Sequence, residues 1–519
     1  MGIKSENKQI LVATVISYIT FAFNILVAIF YTPFLLNALG DADYGIRSFA
    51  ISFVAYANIL GTGIATAYLR FANIKKNEYG DEGVKDVDGV FYKIFSLLGL
   101  ISLAIGALLF TLFLTGTIPL KSYSKEQVFV VSTVILLSFI TLGIKLPMSV
   151  SMLILNFKRK FVFRNTRYLL SAVFEYGFSF LCILLGFTVF KSQVIALSLI
   201  SLISETVFGF ITLIYLFLIL RHHTNFKSKV VEKTIWKDII KFSFLSLLII
   251  AVMSLNDSTD RIILGFISPE SVTFYSLTII FNAYIKSVAD SISVLYTPRI
   301  TEEATLNKKD ELQKSFEFVS KICVIIISFI VFGYVCCGKE FLVLWLGQSR
   351  ENIYYYSLPL MIAMIFLYPH HFSIQIHRAY GKQKFAAFSL TATFLLNVAI
   401  SIGLVVLLSK LTNNPALGCI IGTLFTYICE SILLSVYNSK KLGIKQNKIW
   451  SQIFINILLG VFVAVFVNRF YELLNLSIRP VFVMIIKGFT YILIFGFIQF
   501  WMNKKDMFKL VKRKKNEAI

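Results

Sequence analysis

The stretch Leu255-Asn-Asp-Ser-Thr-Asp-Arg-Ile-Ile-Leu-Gly265, with Lys286 and Asp290 beyond it, decides how this chain is read. It lies within two long apolar runs, about 239–266 and 272–296. Each can cross a bilayer as a helix, which takes about 20 residues. Yet the first run carries Asp257, Asp260 and Arg261, and the second carries Lys286 and Asp290. Charges in hydrocarbon are costly and face a polar interior or one another. Asp257 and Arg261 are four apart and share a helix face, with Asp260 beside them, and Lys286 and Asp290 repeat that spacing. Two readings follow. Either these are neutralised pairs that lock helices together, or they border a polar cavity near mid-membrane, which points to transport.

Composition sets the class. Of 519 residues, 57% are hydrophobic and 15% charged, a balance that fits a polytopic membrane protein and not a soluble one. The net charge of +22 would suggest nucleic acid in a soluble protein. Here the basic residues form short clusters between apolar runs, so they are read as topology-setting charge and no nucleic acid is expected. Cys182, Cys323, Cys336, Cys337, Cys419 and Cys429 all lie in or beside apolar runs without metal-ligand spacing. They are read as small apolar residues with no disulfide framework. The run from Ile10 to Leu36 is too long for a signal segment and is read as a retained first helix.

Fourteen spans are expected, at about 9–36, 43–70, 91–115, 127–155, 165–190, 193–220, 239–266, 272–296, 319–337, 353–377, 385–409, 416–437, 449–468 and 480–502. Thirty-seven of the fifty Lys and Arg fall in one alternate set of connecting segments and nine in the other. By the positive-inside rule both termini are cytoplasmic. The longest outside loop, Gly338–Asn352, is too short for a folded domain, which argues against an enzyme with an external catalytic domain. The basic tail from Asn503 to Ile519 reads either as a surface helix on anionic headgroups or as a disordered positive tail.

The chain also repeats itself. Gly40-Asp-Ala-Asp-Tyr44 opens the second span, and Gly265-Phe-Ile-Ser-Pro269 precedes the eighth. Asn156-Phe-Lys-Arg-Lys-Phe161 links spans four and five, and Ala379-Tyr-Gly-Lys-Gln-Lys-Phe385 links ten and eleven. Six spans per unit gives a parallel repeat with a site between lobes. The expected architecture is all-α: an N-lobe over 1–230, a C-lobe over 231–441, and two further helices with a basic tail over 442–519.

Several of these features together resemble the polysaccharide-exporter, or O-antigen flippase, branch of the multidrug/oligosaccharidyl-lipid/polysaccharide exporter superfamily. They are Tyr31-Thr-Pro-Phe-Leu-Leu-Asn-Ala-Leu-Gly40 with Asp43-Tyr-Gly45, Ile59-Leu-Gly-Thr-Gly-Ile-Ala-Thr-Ala67 with Arg70, Asp260-Arg-Ile-Ile-Leu-Gly265 with Tyr275, and the turn Gly381-Lys-Gln-Lys384. Asn58 stands where many relatives have an acid. The resemblance implies a flippase that moves a polyprenyl-diphosphate-linked oligosaccharide to the outer leaflet of the cytoplasmic membrane, with a polysaccharide polymerase as a partner.

The residues suit that cargo. A lipid diphosphate brings negative charge into the membrane and needs cations. Candidates are Arg70 and Arg299 at the inner mouth, Lys145 and Lys286 deeper, and Arg47 and Arg261 toward the outside. The first two also read as topology charges. For a coupling proton or sodium ion the candidates are Asp260, Asp257, Asp290, Glu175 and Glu205, with Glu430 also at mid-span; each also reads as a hydrogen-bonded interior acid. Lys487 is read as snorkelling outward. His370, His371 and His377 are read as polar interior histidines. No phosphate-cradling glycine loop, zinc motif or nucleophile elbow is present, and no cofactor is called for. The rivals are a multidrug/cation antiporter of the same superfamily and a membrane polymerase or acyltransferase. An impermeant thiol label applied outside should reach Cys placed at Ser122 or Asn413 and not at Ser228 or Asn447. The reverse pattern would invert the orientation.

Overall fold

The computed structural model describes residues 3–226, 229–412, 414–474 and 479–517. The first helix, α1 (Ile3–Leu114), is interrupted at Gly40 (φ 76°) and Gly80 (φ 62°), where the left-handed backbone that glycine adopts without penalty breaks it into three arms. These arms, 3–39, 41–79 and 81–114, cover the first three expected spans. The second and third run antiparallel: Phe49 meets Phe113 at 6.3 Å between ring centroids, and Tyr68 meets Phe91 at 5.1 Å.

Then come α2 (Lys125–Phe157), α3 (Phe161–Leu184), α4 (Gln193–Ile214), α5 (Lys229–Gly265) and α6 (Pro269–Thr305). They are followed by α7 (Lys309–Leu346), α8 (Ile353–His371), α9 (Ser373–Ala379), α10 (Gln383–Leu411), α11 (Ala416–Leu442), α12 (Asn447–Leu474) and α13 (Pro480–Glu517). Among the described residues there is no strand. Among the described residues eleven helices are long and apolar enough to cross a membrane, the first of them holding the three arms of α1, and α5 adds a shorter apolar stretch at Leu247–Asn256. With the arms counted separately and α5 and α9 joined to the tally as one further span and the continuation of α8, the expected fourteen are present. The chain is a multi-pass membrane protein. Leu100, Leu108, Phe462 and Phe489 are each more than half exposed, as side chains in contact with lipid are.

The chain divides into two compact units, Met1–Ser276 with Val405–Ala416, and Leu277–Leu404 with Leu417–Ile519. In the first unit the third arm of α1 meets α2 at backbone distance: a Cβ on Gly99 would lie 2.6 Å from the Gly143 carbonyl oxygen. Lipid supplies no hydrophobic drive between helices, so such close approach and interhelical hydrogen bonds hold them together. Ser124 starts α2 with a capping box to Gln127. Outside the apolar stretches, buried Asp88 accepts from Tyr68 Oη at 2.5 Å and pairs with His222 Nε2 at 2.7 Å, which pins the segment after α4 to α1.

The second unit uses polar contacts of the same kind. Lys487 does not snorkel: its Nζ donates to Glu340 Oε1 at 2.6 Å, tying α13 to α7. A neutralising partner in the interior costs less than stretching the side chain to the interface. Gln499 donates to Asn456 at 2.6 Å between α13 and α12.

The turn between α5 and α6 is held from three sides. Tyr123 Oη donates to the Gly265 carbonyl at 2.7 Å, Thr273 Oγ1 to the Asp41 carbonyl at 2.6 Å, and a Cβ on Gly45 would lie 1.8 Å from the Pro269 carbonyl oxygen. Gly45→Ala is therefore expected to cost about 1–3 kcal/mol through forced backbone displacement. Gly177→Ala, where a Cβ meets nothing within 4 Å, is expected to be neutral or stabilising. Thermal unfolding in detergent compares the two.

Candidate functional site

The first unit encloses a cavity of about 730 Å³. Six segments line it, each with residues at helical spacing. The first arm of α1 gives Ser17, Thr20 and Asn24; the second gives Asn58, Gly61, Thr62 and Ala65. Phe95 comes from the third arm. From α2 come Lys145, Met148, Ser149 and Met152; from α3, Tyr168, Ser171, Ala172, Glu175 and Tyr176; from α4, Glu205, Gly209 and Thr212. Residues at i, i+3, i+4 and i+7 share one face of a helix, so the first arm of α1, α3 and α4 each set polar side chains on the face that lines the cavity, among apolar ones.

The charges in this cavity are not equivalent. Arg167, on α3, donates from Nη2 to Glu205 Oε1 at 3.1 Å and is 8% exposed. Its Nε has no partner among the described residues, and its guanidinium lies 5.6 Å from the Tyr168 ring centre. Glu175 accepts from Ser201 Oγ at 2.6 Å. Lys145 lines the cavity from within α2, is exposed to it, and has no ion-pair partner among the described residues. Tyr176 closes one side against Tyr31 at 5.4 Å between centroids.

The sequence candidates separate accordingly. Lys145, Glu175 and Glu205 share the cavity. Arg47 lies within electrostatic reach of Tyr31, Tyr44 and Tyr176, and Arg261 within reach of Tyr44. Arg261 donates from Nε to Ser276 Oγ at 3.1 Å. Asp260 is fully buried and accepts from Tyr275 Oη at 2.5 Å, which braces α5 against α6. The side chain of Asp257 lies outside the described residues. Lys286 and Asp290 belong to the second unit, where Asp290 is within electrostatic reach of Lys286 and His371. Arg70 is exposed on the second arm of α1. Arg299 pairs with Glu303 at 2.7 Å, and Glu303 also accepts from Ser315.

Arg167 is one of the thirty-seven Lys and Arg that the charge pattern assigns to the inside segments, because it stands near the start of its apolar run. The signal that finds it is the stripe 168–172–175–176, whose face it adjoins one helical turn before Ser171. Asn24 and Asn165 were passed over for the same reason, as single polar residues in long spans. Asn165 donates to the Ala13 carbonyl at 2.8 Å and to Ser17 Oγ at 2.7 Å.

No protein-family model matches the chain, and no curated protein matches it in sequence. Solved structures do. The chain is similar to the lipid II flippase MurJ in an inward closed conformation, with a TM-score of 0.71 at 14% identity over 95% of this chain and 100% of that one. It is similar to an inward-facing multidrug resistance MATE family transporter of the MOP superfamily, with a TM-score of 0.57 at 13% identity over 78% and 91% of the two chains. A third is the eukaryotic MATE transporter AtDTX14, at a TM-score of 0.57 and 14% identity over 88% and 100%. The neighbours are a flippase and transporters, and the all-α polytopic fold expected from sequence is theirs. Identities this low carry the fold and not the cargo.

The Asp260–Tyr275 contact gives a direct test of the brace. Asp260→Ala and Tyr275→Phe are each expected to cost about 1–3 kcal/mol, as the loss of a partner by a buried polar group does. The double variant should lose less than the sum, because both changes remove one contact. Additive losses in thermal unfolding would mean that the contact contributes nothing.

Proposed function

We propose that the chain is a flippase for a lipid-linked oligosaccharide of surface polysaccharide biosynthesis, carried on a polyprenyl diphosphate, and that it works by alternating access. One observation carries the reading: a cavity within the membrane-spanning part of the first unit is lined both by Lys145, which has no ion-pair partner among the described residues, and by a buried arginine, Arg167. A diphosphate is the kind of group that answers both. Lys145 serves as a point charge, and Arg167 offers planar, directed donors. Glu205 now occupies part of the guanidinium, so the head group and Glu205 compete for it. The polar stripes of Asn24, Asn58 and Thr62 suit sugar hydroxyls. Arg47, Arg261 and Arg70 are further candidate cations of the first unit, and Lys286 and Arg299 are those of the second. The fold shared with a lipid II flippase supports the reading. The positive-inside pattern supports a cytoplasmic membrane with both termini in the cytoplasm.

Movement of so charged a cargo calls for a driving force, and we read the carrier as coupled to a proton or sodium ion. Glu175 and Glu205 are the acids in the cavity, and an ion that neutralises Glu205 releases Arg167 to the cargo. Asp257, Asp260 and Asp290 complete the set of coupling acids. The chain acts as a carrier in this reading, not as an enzyme.

A multidrug/cation antiporter is the second reading. It draws on the same two carboxylates and on Tyr168 and Tyr176, whose ring faces attract organic cations. Vesicles containing the full chain separate the two. Lys145→Gln is expected to slow translocation of a polyprenyl-diphosphate glycan about tenfold or more, since a charged hydrogen bond contributes about 1.5–3 kcal/mol. Lys145→Arg should retain most of the rate. Efflux of a cationic dye with no glycan movement, unaffected by Lys145→Gln, would replace the flippase by the antiporter.

A further inference from the structure

The second unit carries titratable side chains that the head-group cavity does not use. His371 ends α8, Glu430 lies within α11, and His371 Nε2 stands 2.5 Å from Glu430 Oε1. Glu430 is 5% exposed, and His371 is its only hydrogen-bond partner among the described residues. A carboxylate withdrawn from water needs a cation or a proton. His371 is a cation only while it holds a proton. With one proton shared, on either partner, the pair is neutral; without it a buried negative charge is left over.

The surroundings do not replace that proton. On α6, Asp290 lies within electrostatic reach of both Lys286 and His371, so Lys286 already answers an acid of its own. On α7, Cys323 faces Asp290. On α8, His370 lies beside the pair, and the Tyr368 ring is 5.3 Å from the His371 imidazole. His370 is held elsewhere: its Nδ1 lies 3.1 Å from Gln446 Oε1, and Gln446 spends its amide donor on the Ile444 carbonyl.

The backbone gives way at the same place. Helix α8 ends at His371 and α9 begins at Ser373, with Pro369 in the last turn. Hydroxyl groups take up the freed carbonyls: Ser320 donates to Pro369 at 2.8 Å and Ser373 to His370 at 2.7 Å. A break satisfied by side chains is a place where a helix bends.

We propose that His371 and Glu430 form a proton-binding site, which keeps its proton while the pair is buried and releases it when the α8–α9 break opens the pair to water. Its use in coupling rests on the carrier reading above; its existence does not.

Full-length protein in phospholipid vesicles is treated with dicyclohexylcarbodiimide, which reacts with protonated carboxyls in apolar surroundings, and the adduct at Glu430 is counted by mass spectrometry across a pH series. Labelling is expected to be about fivefold or more greater at the acid end. In His371→Gln, where the carboxyl must hold the proton itself, labelling should rise at the alkaline end by about the same factor. A Glu430 that never reacts, or reacts identically in both proteins, overturns the site. In the same vesicles, a pH gradient should speed translocation of a polyprenyl-diphosphate glycan by wild type and not by Glu430→Gln, which keeps the hydrogen bond. A gradient response that survives in Glu430→Gln, or is missing from an active wild type, overturns the coupling role. Expected labelling with no glycan movement by wild type leaves the proton site standing and removes the proposed cargo.

Discussion

Hydrocarbon offers no partner to a charge or to a hydrogen-bonding group, and the rest of this structure depends on that constraint. Side chains such as Leu100, Phe462 and Phe489 stand outward, where burial against lipid costs nothing. Polar side chains are gathered inward in pairs or into one cavity. The pairs serve cohesion: Lys487 with Glu340, Gln499 with Asn456, and Asp260 beneath Tyr275. The cavity sets polar side chains among apolar ones, and Lys145 there has no ion-pair partner among the described residues.

That difference separates structure from function better than depth does. Asp260 is fully buried and accepts a hydrogen bond from Tyr275 at the α5–α6 turn, a contact that holds the two helices together. Glu175 and Glu205 are less buried and share a cavity with cations that suit an anionic cargo. A brace works by staying satisfied. A site works by holding a group whose partner can be exchanged, which is the part proposed for Glu205 at Arg167.

Charge in the structure is of two kinds. In the cavity of the first unit the cations are Lys145 and Arg167, which suit a permanently anionic ligand. Opposite buried Asp88 in the first unit and buried Glu430 in the second stands an imidazole, whose charge is conditional. In the carrier proposed above, the cavity cations serve to bind and the His371 imidazole to switch.

Fourteen apolar stretches, the opening of the second of them at Gly40, and the membrane setting were all legible in the sequence, because span length and hydrophobicity are local quantities. So was Lys145, since a cation in mid-span has few fates. What the sequence left open was which charges belong together. Arg167 looked like a loop charge and Lys487 like a snorkelling one, because the partner of each, Glu205 or Glu340, is far away in sequence and is chosen by how helices pack. For the same reason the acid facing His371 could not be read from the chain. Helical periodicity assigns a residue to a face of its own helix, and only the tertiary structure decides what that face meets.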